Sequence, residues 1–293
     1  MEFEAIKVIS VFGAGTMGHG IAQIMAQQGY KVFLGDISQE LLDAALDRVK
    51  KSLQKLAEKG KISQDEVEGT LSMITGTVDM EEITKDADFL IEAIPERLDI
   101  KKELFRQLDK VCKEETILAT NTSTLSITEL ASATERPERF IGMHFFNPVP
   151  LMNIVEIVKG LLTSDETVEI TRKLVLKLGK EPIIVRDSPG FASSRLGVAL
   201  FLEASRMLEE GVASAEDIDK SMRLGYGHRM GPFETCDLVG LDARLNNINA
   251  IYEATRDPAW KPPQLLKQLV SAGYLGRKPG SKGGYYTYFG FEK

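Results

Sequence analysis

The chain has 293 residues, enough for about two domains at roughly 150 residues each. Its 36 Lys and Arg against 43 Asp and Glu leave a net charge of −7, which argues against a nucleic-acid protein held by phosphate contacts. Hydrophobic residues at 43% and charged residues at 27% are ordinary globular values and exclude a disordered chain.

The acidic start Met1-Glu2-Phe3-Glu4 carries no apolar leader, and Leu196 to Leu202, the longest nearly uncharged apolar run, is too short for a membrane span. Cys112 and Cys236 offer neither a disulfide framework nor a metal-ligand spacing. A cytoplasmic protein without a metal, a membrane or a nucleic-acid partner is expected.

Lys7 to Phe12 reads as a buried strand closed by Gly13, followed by a helix from Met17 to Gln28 that stops at Gly29. A second strand, Lys31 to Leu34, ends at Asp36, and a long helix runs from Gln39 to Lys59. Ser63 to Glu66 has capping-box spacing and opens another helix. Further strands are predicted at Phe89–Ala93, Thr116–Ala119, Phe140–His144, Ile154–Ile157 and Ile183–Val185. Strands alternating with helices give an α/β fold, a Rossmann-type doubly wound and mostly parallel sheet.

The pattern changes at Asp187-Ser188-Pro189-Gly190, after which almost no strand signals remain. Arg195 to Glu210 is apolar on most faces and suits a core or interface helix; Ser214 to Asp217 is a second capping-box start for a helix through Ile218 and Met222. The reading is a nucleotide-binding domain over residues 1–187 and an all-α C-terminal domain over 188–293.

Gly13-Ala14-Gly15-Thr16-Met17-Gly18 matches GxGxxG directly after a strand and at the opening of a helix, the context that a dinucleotide site requires. Gly13 permits the tight turn, Gly15 the approach of a pyrophosphate, and Gly18 close helix–strand packing, while the helix N-terminus supplies N–H groups and partial positive charge. Glycines serving a plain β–α turn are the competing reading. Asp36 at the end of the second strand suits the adenosine ribose hydroxyls and repels a 2′-phosphate, so NAD is expected over NADP; a helix N-cap aspartate is the alternative compatible with that position.

Of the three histidines, His19 at the helix N-terminus reads as a packing residue and His228 as part of a surface turn. His144 ends a predicted strand, the edge of such sheets that faces the ligand crevice. A lone strand-end histidine is structural more often than catalytic, so its partners decide.

Met143-His144-Phe145-Phe146-Asn147-Pro148-Val149-Pro150, with Asn121-Thr122-Ser123 upstream and Ser188-Pro189-Gly190-Phe191 downstream, resembles the L-3-hydroxyacyl-CoA dehydrogenase family, in particular its bacterial 3-hydroxybutyryl-CoA dehydrogenases. The resemblance runs on through Met230-Gly231-Pro232 and Gly240-Leu241-Asp242 to Gly276-Arg277-Lys278, essentially the whole chain. It implies NAD-dependent interconversion of short-chain (S)-3-hydroxyacyl-CoA and 3-oxoacyl-CoA, in fatty-acid and butanoate metabolism, by a homodimer joined through the C-terminal domain.

It also implies roles. His144 becomes the general base for the 3-hydroxyl and the acid in reverse, Glu156 its partner carboxylate, and Ser123 a hydrogen-bond partner of the reacting oxygen and of the CoA substrate. Glu96, Lys101, Asn121, Ser123 and Asn147 fall on positions contacting the nicotinamide half of NAD, and Lys278 on a further cofactor position. Ser52, Lys55 and Lys59 share one helix face by their i, i+3, i+7 spacing, a cationic face suited to CoA phosphates, although a lysine-bearing helix is usually just solvated.

Three departures stand out. Ser194 replaces the family's active-site asparagine after the PGF turn, Arg229 stands where proline is usual, and the tail around Lys278 to Tyr285 is two residues longer than usual. A free hydroxy-acid dehydrogenase and a catalytically weak NAD-binding protein are the competing functions. The lysine face speaks against the first, and the intact Ser123, His144 and Glu156 against the second.

Overall fold

The computed structural model describes residues 2–291. The chain divides into two compact units, Met1–Ser188 and Pro189–Lys293.

The first unit is an eight-stranded sheet: β1 (Val8–Phe12), β2 (Lys31–Gly35), β3 (Ile74–Thr77), β4 (Phe89–Glu92), β5 (Ile117–Thr120), β6 (Phe140–Phe145), β7 (Ile154–Lys159) and β8 (Glu181–Arg186), in the order β3-β2-β1-β4-β5-β6-β7-β8. Its helices are α1 (Gly18–Gln27), α2 (Gln39–Glu58), α3 (Gln64–Ser72), α4 (Met80–Thr84), α5 (Leu98–Val111), α6 (Ile127–Ala131) and α7 (Asp165–Lys177). β1 to β6 are all parallel, and except in edge strand β3 their residues are buried in near-continuous runs, as a sheet covered on both faces demands. The order reverses direction between β1 and β4, and ligands of such sheets bind outside the carboxyl ends of the strands at that point.

β7 runs antiparallel to β6, and β8 parallel to β7. β3 was not expected from the sequence: Ile74-Thr75-Gly76-Thr77 is an edge strand with two buried residues, too few to leave an apolar run. The predicted capping box forms in full, with Ser63 Oγ accepting from the Glu66 amide at 3.2 Å and Glu66 Oε2 accepting from the Ser63 amide at 2.7 Å.

The second unit holds α8 (Ser193–Glu209), α9 (Ala215–Lys220), α10 (Pro232–Val239), α11 (Leu241–Thr255), α12 (Gln264–Ser271) and α13 (Tyr285–Tyr288). Phe201, Phe233 and Tyr285 centre its core, with ring centroids 4.9 to 5.9 Å apart. Asp219 caps the start of α10, accepting from the Phe233 and Glu234 amides at 2.9 and 2.8 Å. Burial pushes the Asp219 carboxyl above its ordinary pKa, against the lowering effect of those bonds.

Two expectations need correction here. The second capping box is only half formed: Ser214 Oγ accepts from the Asp217 amide, but the Asp217 carboxylate accepts from the Ser214 hydroxyl, because aspartate is one methylene too short to reach back to the Ser214 amide. The helix predicted through Met222 ends at Lys220 and gives way to a π turn over Ser221–Gly225.

Candidate active site

Gly13 has φ +107°, and a Cβ there would lie 2.6 Å from the Ala93 carbonyl oxygen; one on Gly18 would lie 1.7 Å from the Gly13 carbonyl oxygen. Both positions therefore require glycine, for backbone conformation in the first case and for strand–helix contact in the second. A Cβ on exposed Gly15 would meet nothing within 4 Å, which leaves open space beside the loop. Exposed Thr16 and half-buried Met17 complete the turn into α1. His19, in the first turn of α1, is bound through Nδ1 to the Gly15 carbonyl oxygen at 2.8 Å.

Asp36 is not the helix cap that its position also allowed: the N-cap of α2 is Ser38. Its carboxylate instead accepts from the Ala14 amide at 2.7 Å and from the Ile37 amide at 2.7 Å, tying the end of β2 to the glycine loop. One lone-pair direction per oxygen remains for ribose hydroxyls. Ile37 beside it is 88% exposed and offers no cation for a 2′-phosphate. The open space at Gly15 and this oriented carboxylate fit a pyridine dinucleotide without a 2′-phosphate.

His144 and Glu156 are directly opposite residues of β6 and β7. Cross-strand partners project from the same face, so antiparallel pairing presents one to the other. His144 Nδ1 lies 2.6 Å from Glu156 Oε2; the carboxylate is fully buried and the histidine side chain is 10% exposed. An acceptor at Nδ1 fixes the ring proton there, so the neutral imidazole presents Nε2 as its basic nitrogen. The Phe146 ring packs on the imidazole with centroids 4.6 Å apart.

Asn121, just past β5, accepts from the Phe145 amide at 3.0 Å through Oδ1 and so braces the residue after the histidine. Ser123 follows in the same turn, where Glu96 Oε1 gathers the Thr122 hydroxyl at 2.5 Å, the Ser123 amide at 2.9 Å and hydroxyl at 3.3 Å, and the Thr124 amide at 3.2 Å. Burial alone would raise the Glu96 pKa; the Lys101 ammonium and these hydrogen bonds outweigh it and hold the carboxyl below its ordinary range. Lys101 is itself buried, 2.5 Å from Glu92 and 3.4 Å from Glu96. Asn147 is exposed at the start of the β6–β7 loop.

On α2, Ser52 is half-buried and Lys55 exposed, and Lys59, the C-cap just past its end, is exposed too; Lys51 pairs with Asp47 at 2.6 Å, but neither Lys55 nor Lys59 joins an ion pair among the described residues. Ser194 and Lys278 lie in the second unit. Ser194 is half-buried in the first turn of α8, and Lys278 pairs with Asp242 at 2.5 Å. His228 is exposed, in the turn after the π segment. Among the described residues, no group of His, Cys, Asp or Glu is placed to hold a metal ion, and no helix is long and apolar enough to cross a membrane.

Among the buried charges that sequence reasoning missed are Glu92 and Lys180. Glu92 ends β4, and its only signal was a carboxylate inside an apolar run. Lys180 donates to the Val149 and Met152 carbonyl oxygens at 2.8 and 2.5 Å, pinning the β6–β7 loop; burial lowers its pKa. Nothing in the local sequence distinguishes Lys180 from a surface lysine.

Residues 8–188 match the family model described as 3-hydroxyacyl-CoA dehydrogenase, NAD binding domain, and residues 190–288 the one described as 3-hydroxyacyl-CoA dehydrogenase, C-terminal domain. The chain belongs to the 3-hydroxyacyl-CoA dehydrogenase family. It is 45% identical over 283 residues to a probable 3-hydroxybutyryl-CoA dehydrogenase of Bacillus subtilis, covering 97% of this chain and 98% of the relative. To the mitochondrial hydroxyacyl-coenzyme A dehydrogenase of Sus scrofa it is 43% identical over 289 residues, 97% and 91% of the two chains. The crystal structure of (S)-3-hydroxybutyryl-CoA dehydrogenase from Ralstonia eutropha superposes with a TM-score of 0.92 at 42% identity, over 96% of this chain and 99% of that one. Membership of this family makes the first unit an NAD-binding domain.

Proposed function

We propose that the protein interconverts (S)-3-hydroxybutyryl-CoA, and similar short-chain 3-hydroxyacyl thioesters, with the 3-oxoacyl-CoA, using NAD(H), as a step of fatty-acid and butanoate metabolism. The observation that carries this reading is the buried 2.6 Å His144–Glu156 pair at the crevice edge of a dinucleotide-binding sheet. NAD, when bound, supplies the hydride acceptor. His144 Nε2 takes the 3-hydroxyl proton, and the Glu156 carboxylate stabilises the imidazolium this creates. When substrate is bound, Ser123 turns its hydroxyl from Glu96, to which it donates at 3.3 Å, to the reacting oxygen, and Asn121 holds the histidine strand in register with it. Glu96, Lys101 and Asn147 order the nicotinamide side. Ser194 and Lys278 keep the roles that the resemblance implies, substrate polarisation and cofactor contact. Oxidation of NADH dependent on acetoacetyl-CoA tests the reading, and no turnover with any short-chain 3-oxoacyl-CoA would remove it.

Cofactor choice follows from Asp36. The unaltered protein should prefer NADH to NADPH in kcat/KM, and Asp36→Ala should narrow that preference about tenfold or more, since it removes a like-charge clash with the 2′-phosphate. Equal use of both cofactors by the unaltered protein would show that Asp36 does not face the ribose.

Lys55 and Lys59 are proposed to hold CoA phosphates beside Ser52. Lys55→Glu or Lys59→Glu should raise KM for acetoacetyl-CoA about two- to fivefold, the size expected for exposed charge pairs, and leave KM for NADH unchanged. A substrate truncated to the pantetheine thioester, which has no nucleotide phosphates, should be much less affected; equal losses would mean that the lysines act only on the helix.

The exposed apolar residues of the second unit, Leu196 (66%), Leu200 (42%), Leu224 (85%) and Tyr226 (78%), support a homodimer joined through it. The free, buried thiols of Cys112 and Cys236 suit a reducing compartment, the cytoplasm.

A further inference from the structure

Glu92 closes β4 fully buried, in a strand whose other residues are apolar. Both its oxygens are engaged: Oε1 accepts from the Lys101 ammonium at 2.5 Å and the Ile94 amide at 2.7 Å, and Oε2 accepts from the Thr120 hydroxyl at 2.6 Å. A buried ion pair is weak evidence of stabilisation, because apolar side chains of similar volume often serve as well. What the pair holds in place is therefore the more informative question.

Two routes lead from Glu92 to the same turn. Through Lys101, whose ammonium also lies 3.4 Å from Glu96 Oε2, it reaches the carboxylate that gathers the Thr122, Ser123 and Thr124 donors. Through Thr120 it grips the last residue of β5, immediately before Asn121. We infer that Glu92 is a positioning residue, which fixes the Asn121–Thr124 turn through Lys101 and Glu96 on one side and Thr120 on the other, and so sets where the Ser123 hydroxyl stands. The inference rests on the reading of Ser123 as the residue that contacts the reacting oxygen.

Burial pushes the Glu92 carboxyl up in pKa, while the Lys101 charge and the hydrogen bonds pull it down. Removing its charge leaves Glu96 as the one carboxylate beside Lys101 and draws the ammonium toward it, which disturbs the acceptor that the Ser123 and Thr124 amides share.

The test is Glu92→Gln, which keeps the shape and removes the charge, read in two ways. Hydrogen exchange at the Ser123 and Thr124 amides should be about tenfold faster, with the β1 and β2 amides unchanged. In NADH-dependent reduction of acetoacetyl-CoA, kcat should fall about tenfold in the otherwise unaltered protein and less than about twofold in a Ser123→Ala background, the non-additivity of groups acting through one another. Unchanged exchange in that turn, or equal losses in the two backgrounds, would overturn the inference. Thr120→Val, which deletes only one hydroxyl, should give a smaller acceleration in the same amides and decides the matter if Glu92→Gln does not fold. If the unaltered protein does not reduce acetoacetyl-CoA, the proposed substrate fails, and the exchange measurement alone judges Glu92.

Discussion

Replacing His144 by glutamine is expected to lower kcat for acetoacetyl-CoA reduction by roughly 10²–10⁴, the span usual for loss of a general acid–base. Glutamine retains hydrogen-bonding capacity at about the same reach but cannot deliver a proton to the 3-oxo oxygen or take one from the 3-hydroxyl. The glycine loop and Asp36 are untouched, so NADH affinity measured by fluorescence should stay within about threefold of the unaltered protein, which corresponds to less than ~0.7 kcal/mol. Near-normal turnover in this variant would end the mechanism proposed, because among the described residues His144 is the histidine paired with a buried carboxylate, whereas His19 is bound through Nδ1 to the Gly15 carbonyl oxygen.

Glu156→Gln should be nearly as damaging, with kcat lower by roughly 10²–10³, although Glu156 is not expected to touch substrate. The fully buried carboxylate sits 2.6 Å from Nδ1. An amide there removes the charge that stabilises the imidazolium. It can also turn its N–H groups toward Nδ1, which moves the ring proton to Nε2 and leaves the wrong tautomer for taking a proton from the hydroxyl. Oxidation of (S)-3-hydroxybutyryl-CoA should therefore suffer at least as much as reduction, while KM for both substrates changes little. A Glu156→Gln enzyme with unchanged kcat in both directions would show that the pair serves the sheet and not the reaction.

The pieces read in the sequence share one property: their signal is local. The glycine loop, the carboxylate at the end of the next strand, the Ser63 capping box and the HFFNP run each depend on residues within a few positions of one another, because turn geometry, helix capping and strand periodicity are set over that range. The change in pattern near Asp187 likewise reflects the loss of β-branched apolar runs, which composition alone displays. Where local reach fell short, so did the reading. Asp217 resembles a capping-box acid in spacing but is one methylene too short for it, and β3 at the sheet edge buries too little to show a pattern.

By itself the sequence determined an α/β nucleotide-binding unit followed by a helical one, the need for glycine at Gly13 and Gly18, and a carboxylate suited to a ribose. It contained no statement that β7 turns back along β6, and only that reversal sets Glu156 opposite His144 across a gap of twelve residues. Nor did it reveal Glu92, Lys101 and Lys180 as buried charges. Their burial is decided by strands and helices distant in the chain that exclude water from around them, and a charged side chain is tolerated there only because the fold brings Thr120, Glu96 or the Val149 and Met152 carbonyls within hydrogen-bonding distance. Thr120 lies 28 residues from Glu92, and Val149 and Met152 lie 31 and 28 residues from Lys180, distances that no local pattern encodes.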